Sequence, residues 1–369
     1  MNFIKLAFFI TLTTLGAAHA QDKWIVGQSV PLSGGNAKFG QDIRDGAKAY
    51  FAMLNAKGGV QGRDIELQTM DDKNDRKLAG ENAKTLLSNK DLVALFGFAS
   101  ATLSLDALPQ ATAKEVPFFA PFSGANAVRV NNPVLFTVRA SYAEELEKML
   151  GFWTSLGFKR VVVVHYDDEV GKQNLGLVTQ FLKANNLTPQ AFSIARNIAL
   201  NQTHAQAVSD LKPEVIISTV LSAAAAQLQK ELIAMQRIIP TSSLSFVGAD
   251  QFITAAGQAS AGVSIAQVVP SASSQLPAVR ECAKALELAG SKTSMNSTQL
   301  EACFAAKILA EGIRRARKPV TAQTVLSALT NLGVYDLGGF KVSFAPGAQH
   351  GSKLVELAMV TRDGKLNSR

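Results

Sequence analysis

The sequence predicts an α/β protein of two Rossmann-like lobes, each with a parallel-sheet core covered by helices. Two observations predict this fold class. Short apolar runs alternate with amphipathic stretches, which is the pattern of repeated strand–helix–strand units. The alternation begins a second time after residue 140, and the 369 residues of the chain suffice for two domains.

The first lobe begins with a buried strand and an amphipathic helix. Ile43, Ala47 and Phe51 recur at helical spacing, and the glycines of KGGVQGR end that helix in a turn. In chain order we predict a strand in KWIVGQSVPL, a helix over 41–56, a strand in DIELQTMDD, a helix over 75–89, a strand in LVALFGFAS, a helix over 103–115 and a strand in VPFFAPFS.

The second lobe repeats this order. The valine run in RVVVVHYDDE indicates a strand buried on both faces. We predict, in order, a helix over 141–156, that strand, a helix over 172–185, a strand near 190–195, a helix over 203–211, a strand in EVIISTV, a helix over 222–236, and strands in LSFVGAD and GVSIAQVVP. Three helices near 277–289, 298–316 and 321–331 follow, and the last strands turn at Asp363-Gly364.

The N-terminal residues 1–20 have the features of a cleavable secretory signal. Lys5 precedes an apolar run from Leu6 to Leu15, and Ala18-His19-Ala20 forms a small-x-small cleavage site. The run is too short to span a bilayer, although a retained membrane anchor is the alternative. We therefore expect an exported protein.

The chain has two cysteines, Cys282 and Cys303, both in segments predicted to be helical. Export to an oxidising compartment favours a disulfide. Geometry decides whether the bond forms, so a disulfide and two buried free thiols both remain open.

Several function classes lack support in the sequence. The formal net charge is +8, but the basic residues are scattered and form no stripe with aromatic residues, so we expect no nucleic-acid partner. His165, His204 and His350 have no metal-ligand spacing, so we expect no metal site and no cofactor. The sequence contains no nucleophile elbow, so we predict that the protein is not an enzyme. An enzyme using carboxylates alone is the remaining alternative.

The loop GQSVPLSGGNAKFGQD resembles a phosphate-binding loop only in its glycine spacing. Gly35 and Gly40 have the right separation, but Gln41 and Asp42 stand where Lys and Ser or Thr are needed. The loop is therefore a candidate for contact with some other small molecule.

Polar residues after two predicted strands of the first lobe are candidate ligand contacts. Ser100 and Thr102 follow one strand, and Phe122, Ser123 and Gly124 follow another. Loops at the carboxyl ends of parallel strands bind ligands, and helix N-termini there favour carboxylates. The alternative for each hydroxyl is a helix N-cap.

Two acidic residues of the second lobe are also candidates. Asp168 follows the valine-rich strand, and Asp250 follows the predicted strand in LSFVGAD. Either carboxylate could accept a hydrogen bond from a ligand ammonium or hydroxyl. The alternatives are a helix N-cap or a solvent-facing charge.

These patterns together resemble the periplasmic leucine/isoleucine/valine-binding protein family, the type I solute-binding receptors of ABC importers. Within residues 31–63 the chain carries P-L-S-G, F-G, G-A-x-A and N-x-x-G-G-V-x-G-R, and VPFFAPFSGANAVR and VVVVHYDDEVG extend the likeness. The resemblance implies the type I periplasmic binding protein fold, with lobes joined by crossover segments near residues 140, 269 and 345. It divides the mature chain into 21–140 plus 270–345 and 141–269 plus 346–369.

The resemblance also assigns roles to site residues. It implies that the loop after the first strand faces the interlobe cleft, with Phe39 near the ligand. It implies ligand contacts from Ser100 or Thr102 and from residues 122–124, while Tyr142 lies just past the first crossover and could close over the ligand.

This chain departs from the family in one loop, where relatives read Ala-Ala-Thr in place of Phe122-Ser123-Gly124, and at three further positions. Relatives carry tyrosines where Val170 and Leu221 stand here, and a glutamate near Asp250. The departures put branched-chain amino acids in doubt. We expect a small carboxylate-bearing ligand, either an amino acid or amide, or an organic or aromatic acid.

The function that follows is a soluble, monomeric receptor that closes on its ligand and delivers it to the membrane subunits of an ABC permease. A ligand-sensing module for a chemoreceptor or kinase is an alternative, and an exported enzyme is a weaker one.

Overall fold

The computed structural model describes residues 23–368 apart from Asn197. The predicted signal peptide, residues 1–20, lies outside the described residues. The two-lobe α/β fold class is confirmed, because most strands form two separate sheets with parallel cores, beside one small two-stranded hairpin. In the residues described, no helix is both long and apolar enough to cross a membrane.

The first sheet has the strand order β2-β1-β3-β4-β5, and all of its strands are parallel. Its strands are β1 (Trp24–Val30), β2 (Ile65–Asp71), β3 (Leu92–Phe96), β4 (Phe118–Phe119) and β5 (Leu135–Phe136). The helices that connect them are α1 (Ala37–Asn55), α2 (Arg76–Leu86), α3 (Ala101–Ser104) and α4 (Leu108–Ala113).

The second sheet repeats this order in its parallel part and adds two antiparallel strands, as β14-β13-β10-β9-β8-β6-β7. Its strands are β6 (Val161–Tyr166), β7 (Gln190–Ile194), β8 (Val215–Thr219), β9 (Thr241–Ser243), β10 (Ser264–Gln267), β13 (Glu356–Val360) and β14 (Leu366–Ser368). Its helices are α5 (Tyr142–Ser155), α6 (Glu169–Ala184), α7 (Gln202–Asp210), α8 (Ser222–Ala234) and α9 (Ala249–Ala256). Val162 and Val164 of β6 pack into one core and Val161 and Val163 into another, so this strand is buried on both faces as predicted.

The later helices pack against the first sheet's lobe. They are α10 (Pro277–Leu288), α11 (Ser297–Arg315) and α12 (Ala322–Thr330), followed by the hairpin β11 (Gly333–Asp336) and β12 (Lys341–Phe344). α11 lies so close to α1 that a Cβ on Gly46 would sit 2.2 Å from the carbonyl oxygen of Gln299. Cys282 and Cys303 form a disulfide that joins α10 to α11, with their Cα atoms 5.9 Å apart. That resolves the alternative left open by the sequence.

The chain passes between the two lobes three times: after β5, after β10 and after β12. Near these passages Thr137 pairs with His350 in an isolated parallel bridge. The exact lobe boundaries, 21–140 plus 270–345 and 141–269 plus 346–369, stay a prediction.

Two predicted elements were wrong. The strand expected in LSFVGAD is a 3-10 turn at Ser245–Val247 followed by α9, and the true strand, β9, lies just before it. β9 reads Thr-Ser-Ser, and its buried Ser242 accepts a hydrogen bond from Trp153 Nε1 at 2.7 Å, so polar residues occupy a core strand. The single helix expected over 103–115 is α3 and α4, which is consistent with Pro109 having no N–H to continue the earlier helix.

Candidate ligand-binding site

A cavity of about 190 Å³ lies between the two lobes, where loops from the carboxyl ends of both sheets meet. Open parallel sheets bind ligands at this edge. Several predicted site residues line it together: Phe39, Ser100, Thr102, Phe122, Ser123 and Tyr142. Three other predicted residues, Gly124, Asp168 and Asp250, do not line it.

The loop after β1 forms one wall of the cavity through Asn36 and Phe39. A Cβ on Gly40 would lie 2.0 Å from the carbonyl oxygen of Pro31, so only glycine lets α1 pack this closely onto the loop. The Phe39 ring meets the Phe122 ring edge-on, with centroids 6.3 Å apart. This glycine therefore serves local packing, and it brings an aromatic ring to the cavity.

The loop between β3 and α3 contributes hydroxyl groups. Ser100 Oγ accepts a hydrogen bond from the backbone N–H of Leu103 at 3.2 Å, so it is the N-cap of α3 as well as a cavity residue. Thr102 is exposed, and its hydroxyl has no hydrogen-bond partner among the described residues. It is the freer of the two to contact a ligand.

Tyr142 is held in the cavity wall by the loop after β4. Ser123 Oγ donates to Tyr142 Oη at 3.2 Å, and the backbone N–H of Tyr142 donates to Gly124 O at 2.9 Å. Burial raises the pKa of the Tyr142 phenol to about 12, so the group stays protonated at neutral pH. Gly124 thus holds the backbone of Tyr142 in place. The Tyr142 phenol keeps its hydrogen and can donate it to a ligand.

The second lobe supplies a cation that the sequence analysis missed. Asp168 is the N-cap of α6, where it accepts from the Gly171 N–H at 2.8 Å, and its other oxygen lies 2.5 Å from Arg196 Nε. Arg196 lines the cavity, and its guanidinium carbon lies 4.2 Å from the centroid of the Tyr166 ring. Asp168 therefore orients Arg196 instead of facing the cavity itself.

Asp250 lies in the first turn of α9, and the adjacent Gln251 lines the cavity in its place. Gln251 Nε2 donates to Asp42 Oδ2 at 2.8 Å, which joins α9 of the second lobe to α1 of the first. Asp42 is buried and also pairs with Lys38; burial raises the pKa of its carboxyl, and Lys38 partly offsets that shift. Gln251 Oε1 is buried without a hydrogen-bond partner among the described residues.

Buried charges flank the cavity near the first crossover. Arg139 and Glu301 pair, and the Arg139 guanidinium carbon lies 5.7 Å from the centre of the Phe122 ring. Glu145 of α5 is fully buried and accepts from the backbone N–H of Ser245 at 2.7 Å and from its hydroxyl at 2.8 Å. Burial raises the pKa of Glu145 to about 7, with the Arg139 charge opposing the shift.

The family comparison matches nearly the whole described chain. The periplasmic binding protein family covers residues 23–365. The chain belongs to this family.

Two solved structures show the same fold as this periplasmic binding protein. The substrate-binding periplasmic protein from Ralstonia solanacearum is 30% identical, with a TM-score of 0.88 over 94% of this chain and 99% of that one. The possible leucine/isoleucine/valine-binding protein from Rhodopirellula baltica SH 1 is 23% identical, with a TM-score of 0.90 over 96% and 98% of the two chains.

A curated relative matches over a shorter segment. The Leu/Ile/Val-binding protein homolog 7 of Brucella abortus is 31% identical over 147 residues. That segment covers 39% of this chain and 36% of the relative, so the match spans little more than a third of the relative's length.

Arg196 and Gln251 are among the site residues of this periplasmic binding protein that sequence reasoning missed. Arg196 directly follows a predicted strand, so its position offered a signal that was not used. Gln251 offered none, because only the helical geometry of α9 turns it, and not Asp250, towards the cavity. Among the residues the structure describes, no group of His, Cys, Asp and Glu is arranged to hold a metal ion.

Proposed function

We propose that this periplasmic binding protein captures a small carboxylate-bearing ligand between its lobes and delivers it to the membrane subunits of an ABC importer. The observation that carries the proposal is the interlobe cavity, which combines free hydroxyl donors, at Thr102 and Tyr142, with the guanidinium of Arg196. These are groups that bind a carboxylate. The protein acts as a soluble periplasmic monomer, without a catalytic step.

Capture proceeds by closure of the lobes around the ligand. The cavity takes its walls from both lobes, and the bond between Gln251 and Asp42 also spans them. A ligand that contacts both lobes only when they are close stabilises the closed state. The stabilisation equals the free energy of the contacts that the open state lacks.

The first experiment is a thermal-shift screen of the refolded mature protein, residues 21–369, because refolding removes any ligand retained during purification. The panel contains amino acids, amides, urea, and aliphatic and aromatic carboxylates. A ligand at a hundredfold excess over its dissociation constant adds about 2.7 kcal/mol, which raises the Tm by a few degrees. A folded protein that no member of the panel stabilises would contradict capture of small carboxylates.

Transport is tested separately with the compound that the screen identifies. Deleting the gene should reduce cellular uptake of that compound, and uptake at the wild-type rate would argue against a role in import. Recovery of the compound unchanged after incubation with the protein checks that no catalytic step occurs. Size-exclusion chromatography with light scattering checks the monomeric state.

A further inference from the structure

The cavity lining carries a positive charge, that of Arg196, and its counterion Asp168 lies outside the lining. Arg196 is the only charged residue among the described residues that line the cavity. No aspartate or glutamate is among the described residues of the lining, although the position near Asp250 is where the resemblance led us to expect an acid. A ligand ammonium enclosed here would have no carboxylate partner, and burial of an unpaired charge is costly.

Two carboxylates near the cavity, those of Asp168 and Asp42, are already engaged, and a third, Asp250, does not line it. Asp168 bonds to Arg196 and to the N-terminus of α6, and Asp42 bonds to Lys38 and Gln251. Gln251 Oε1 has no hydrogen-bond partner among the described residues, but it is a neutral acceptor. It can accept from a ligand hydroxyl or a water, but it cannot balance a positive charge.

The contacts of Arg196 orient its guanidinium to bind an anion. Asp168 fixes its Nε, and the Tyr166 ring supports the plane of the guanidinium at 4.2 Å. Its two Nη atoms hydrogen-bond to no other group in the part of the chain that the structure describes. A guanidinium whose Nη groups are free matches the two oxygens of a carboxylate.

The rest of the cavity suits a flat apolar body. Phe39 and Phe122 form an edge-on aromatic pair, and Tyr142 and Phe246 form a tilted pair with centroids 5.3 Å apart. All four rings line the cavity. Aromatic rings prefer such edge-on and offset contacts with other rings. A volume of about 190 Å³ restricts the occupant to a molecule smaller than a typical drug.

We propose that the ligand is a small aromatic carboxylate without an ammonium group, and that Arg196, positioned by Asp168, binds its carboxylate. This inference rests on the proposed function, because it names the ligand class of the same cavity. It also predicts that the cavity rejects α-amino acids, because they present an ammonium that the lining cannot pair.

The test is isothermal titration calorimetry on the refolded mature protein, with benzoate, phenylacetate and 4-hydroxybenzoate as probes. Phenylalanine and leucine test how a ligand ammonium changes the affinity. Benzamide tests how the affinity changes when the carboxylate charge is absent. We expect at least one aromatic carboxylate to bind at least about tenfold more tightly than phenylalanine, leucine and benzamide. Leucine or phenylalanine binding as tightly as every aromatic carboxylate would overturn the inference.

The role of Arg196 is tested with Arg196→Gln. Loss of charged hydrogen bonds should weaken binding of the aromatic carboxylate by about tenfold or more while leaving weak benzamide binding unchanged. Arg160→Gln is the matched control, because Arg160 is an exposed arginine of the same lobe that pairs with Glu214 outside the cavity. Equal carboxylate affinity in Arg196→Gln and wild type would overturn the assignment.

The outcomes separate this inference from the function on which it rests. If amino acids, amides or aliphatic acids bind and aromatic carboxylates do not, the receptor function stands and the ligand class is wrong. If no compound of any class binds to a folded sample, both are wrong.

Discussion

Arg139 and Glu301 form a bidentate ion pair inside the protein, with Nε–Oε1 and Nη2–Oε2 distances both of 2.8 Å. Arg139 follows β5 near the first crossover, and Glu301 lies on α11. The two side chains are only 3% and 6% exposed. The pair therefore ties the crossover to the helix that packs on α1.

Removing one partner of this pair should strongly destabilise the protein. Glu301→Gln removes the carboxylate that pairs directly with the buried Arg139 charge, and such changes lower the free energy of unfolding by about 3–5 kcal/mol. Chemical denaturation measures this loss. Glu311→Gln on the same helix is the control, because Glu311 pairs with the more exposed Arg314 and Arg315 and its loss should cost less than about 1 kcal/mol. Equal effects of the two substitutions would contradict the prediction.

Glu145 should make stability depend on pH near neutrality. Its pKa in the folded protein is raised from 4.5 to about 7. Between these values the folded state holds a proton that the unfolded state releases, so the stability from Glu145 falls as pH rises through this window. The free energy of unfolding of wild type, measured relative to Glu145→Gln, should therefore decline between about pH 5 and about pH 8.

The comparison with Glu145→Gln also controls for other groups that titrate in the same pH range. Burial raises the pKa of Asp72 to about 6, and that group contributes a decline of the same sign to both proteins. Subtracting the two curves removes the Asp72 contribution. Parallel curves for wild type and Glu145→Gln would show that Glu145 keeps an ordinary pKa.

Gly124 should be required for the position of Tyr142. A Cβ at residue 124 would lie 2.6 Å from both the backbone nitrogen and a ring carbon of Tyr142, so Gly124→Ala must displace the tyrosine from the cavity wall. We expect at least about tenfold weaker binding of the compound that the thermal-shift screen identifies. Gly151→Ala on α5 is the control, because a Cβ there meets open space and alanine favours a helix. Full affinity in Gly124→Ala would contradict this role.

The bond between Gln251 and Asp42 should favour the closed arrangement of the lobes. Gln251→Glu places a second carboxylate beside Asp42, and the repulsion should open the cleft, although Lys38 offsets part of it. We expect a larger radius of gyration in small-angle X-ray scattering and weaker ligand binding. Gln258→Glu, an exposed position of the same lobe, is the control and should match wild type. An unchanged radius in Gln251→Glu would mean that this bond does not influence closure.

Most of the fold was predictable because periodic apolar patterns reflect burial directly. The valine run of β6 and the helical spacing in α1 are local signals, and both elements formed as predicted, apart from the earlier start of α1 at Ala37. The Thr-Ser-Ser strand β9 was not predictable in this way. Its residues are buried through hydrogen bonds such as that between Trp153 and Ser242, which depend on contacts distant in sequence.

The candidate site was predictable to the extent that it depends on strand ends. Loop residues such as Ser100 and Phe122 follow strands, so topology alone brought them to one cavity. The charge of the site was not predictable, because it depends on how side chains pair. Asp168 was expected as a ligand contact. It pairs with Arg196 and neutralises part of the guanidinium charge, while the arginine itself lines the cavity.

The disulfide between α10 and α11 makes the stability of the protein depend on the redox state of its compartment. The bond closes a segment of the chain between residues 21 positions apart, and crosslinks of that size stabilise by about 3 kcal/mol. It also braces the helix that carries Glu301. A thiol pair in a reducing compartment lacks this brace, so the molecule attains its full resistance to unfolding only after it reaches oxidising surroundings. The stability of the protein against unfolding is therefore greatest in the compartment where a receptor of this family encounters its ligand.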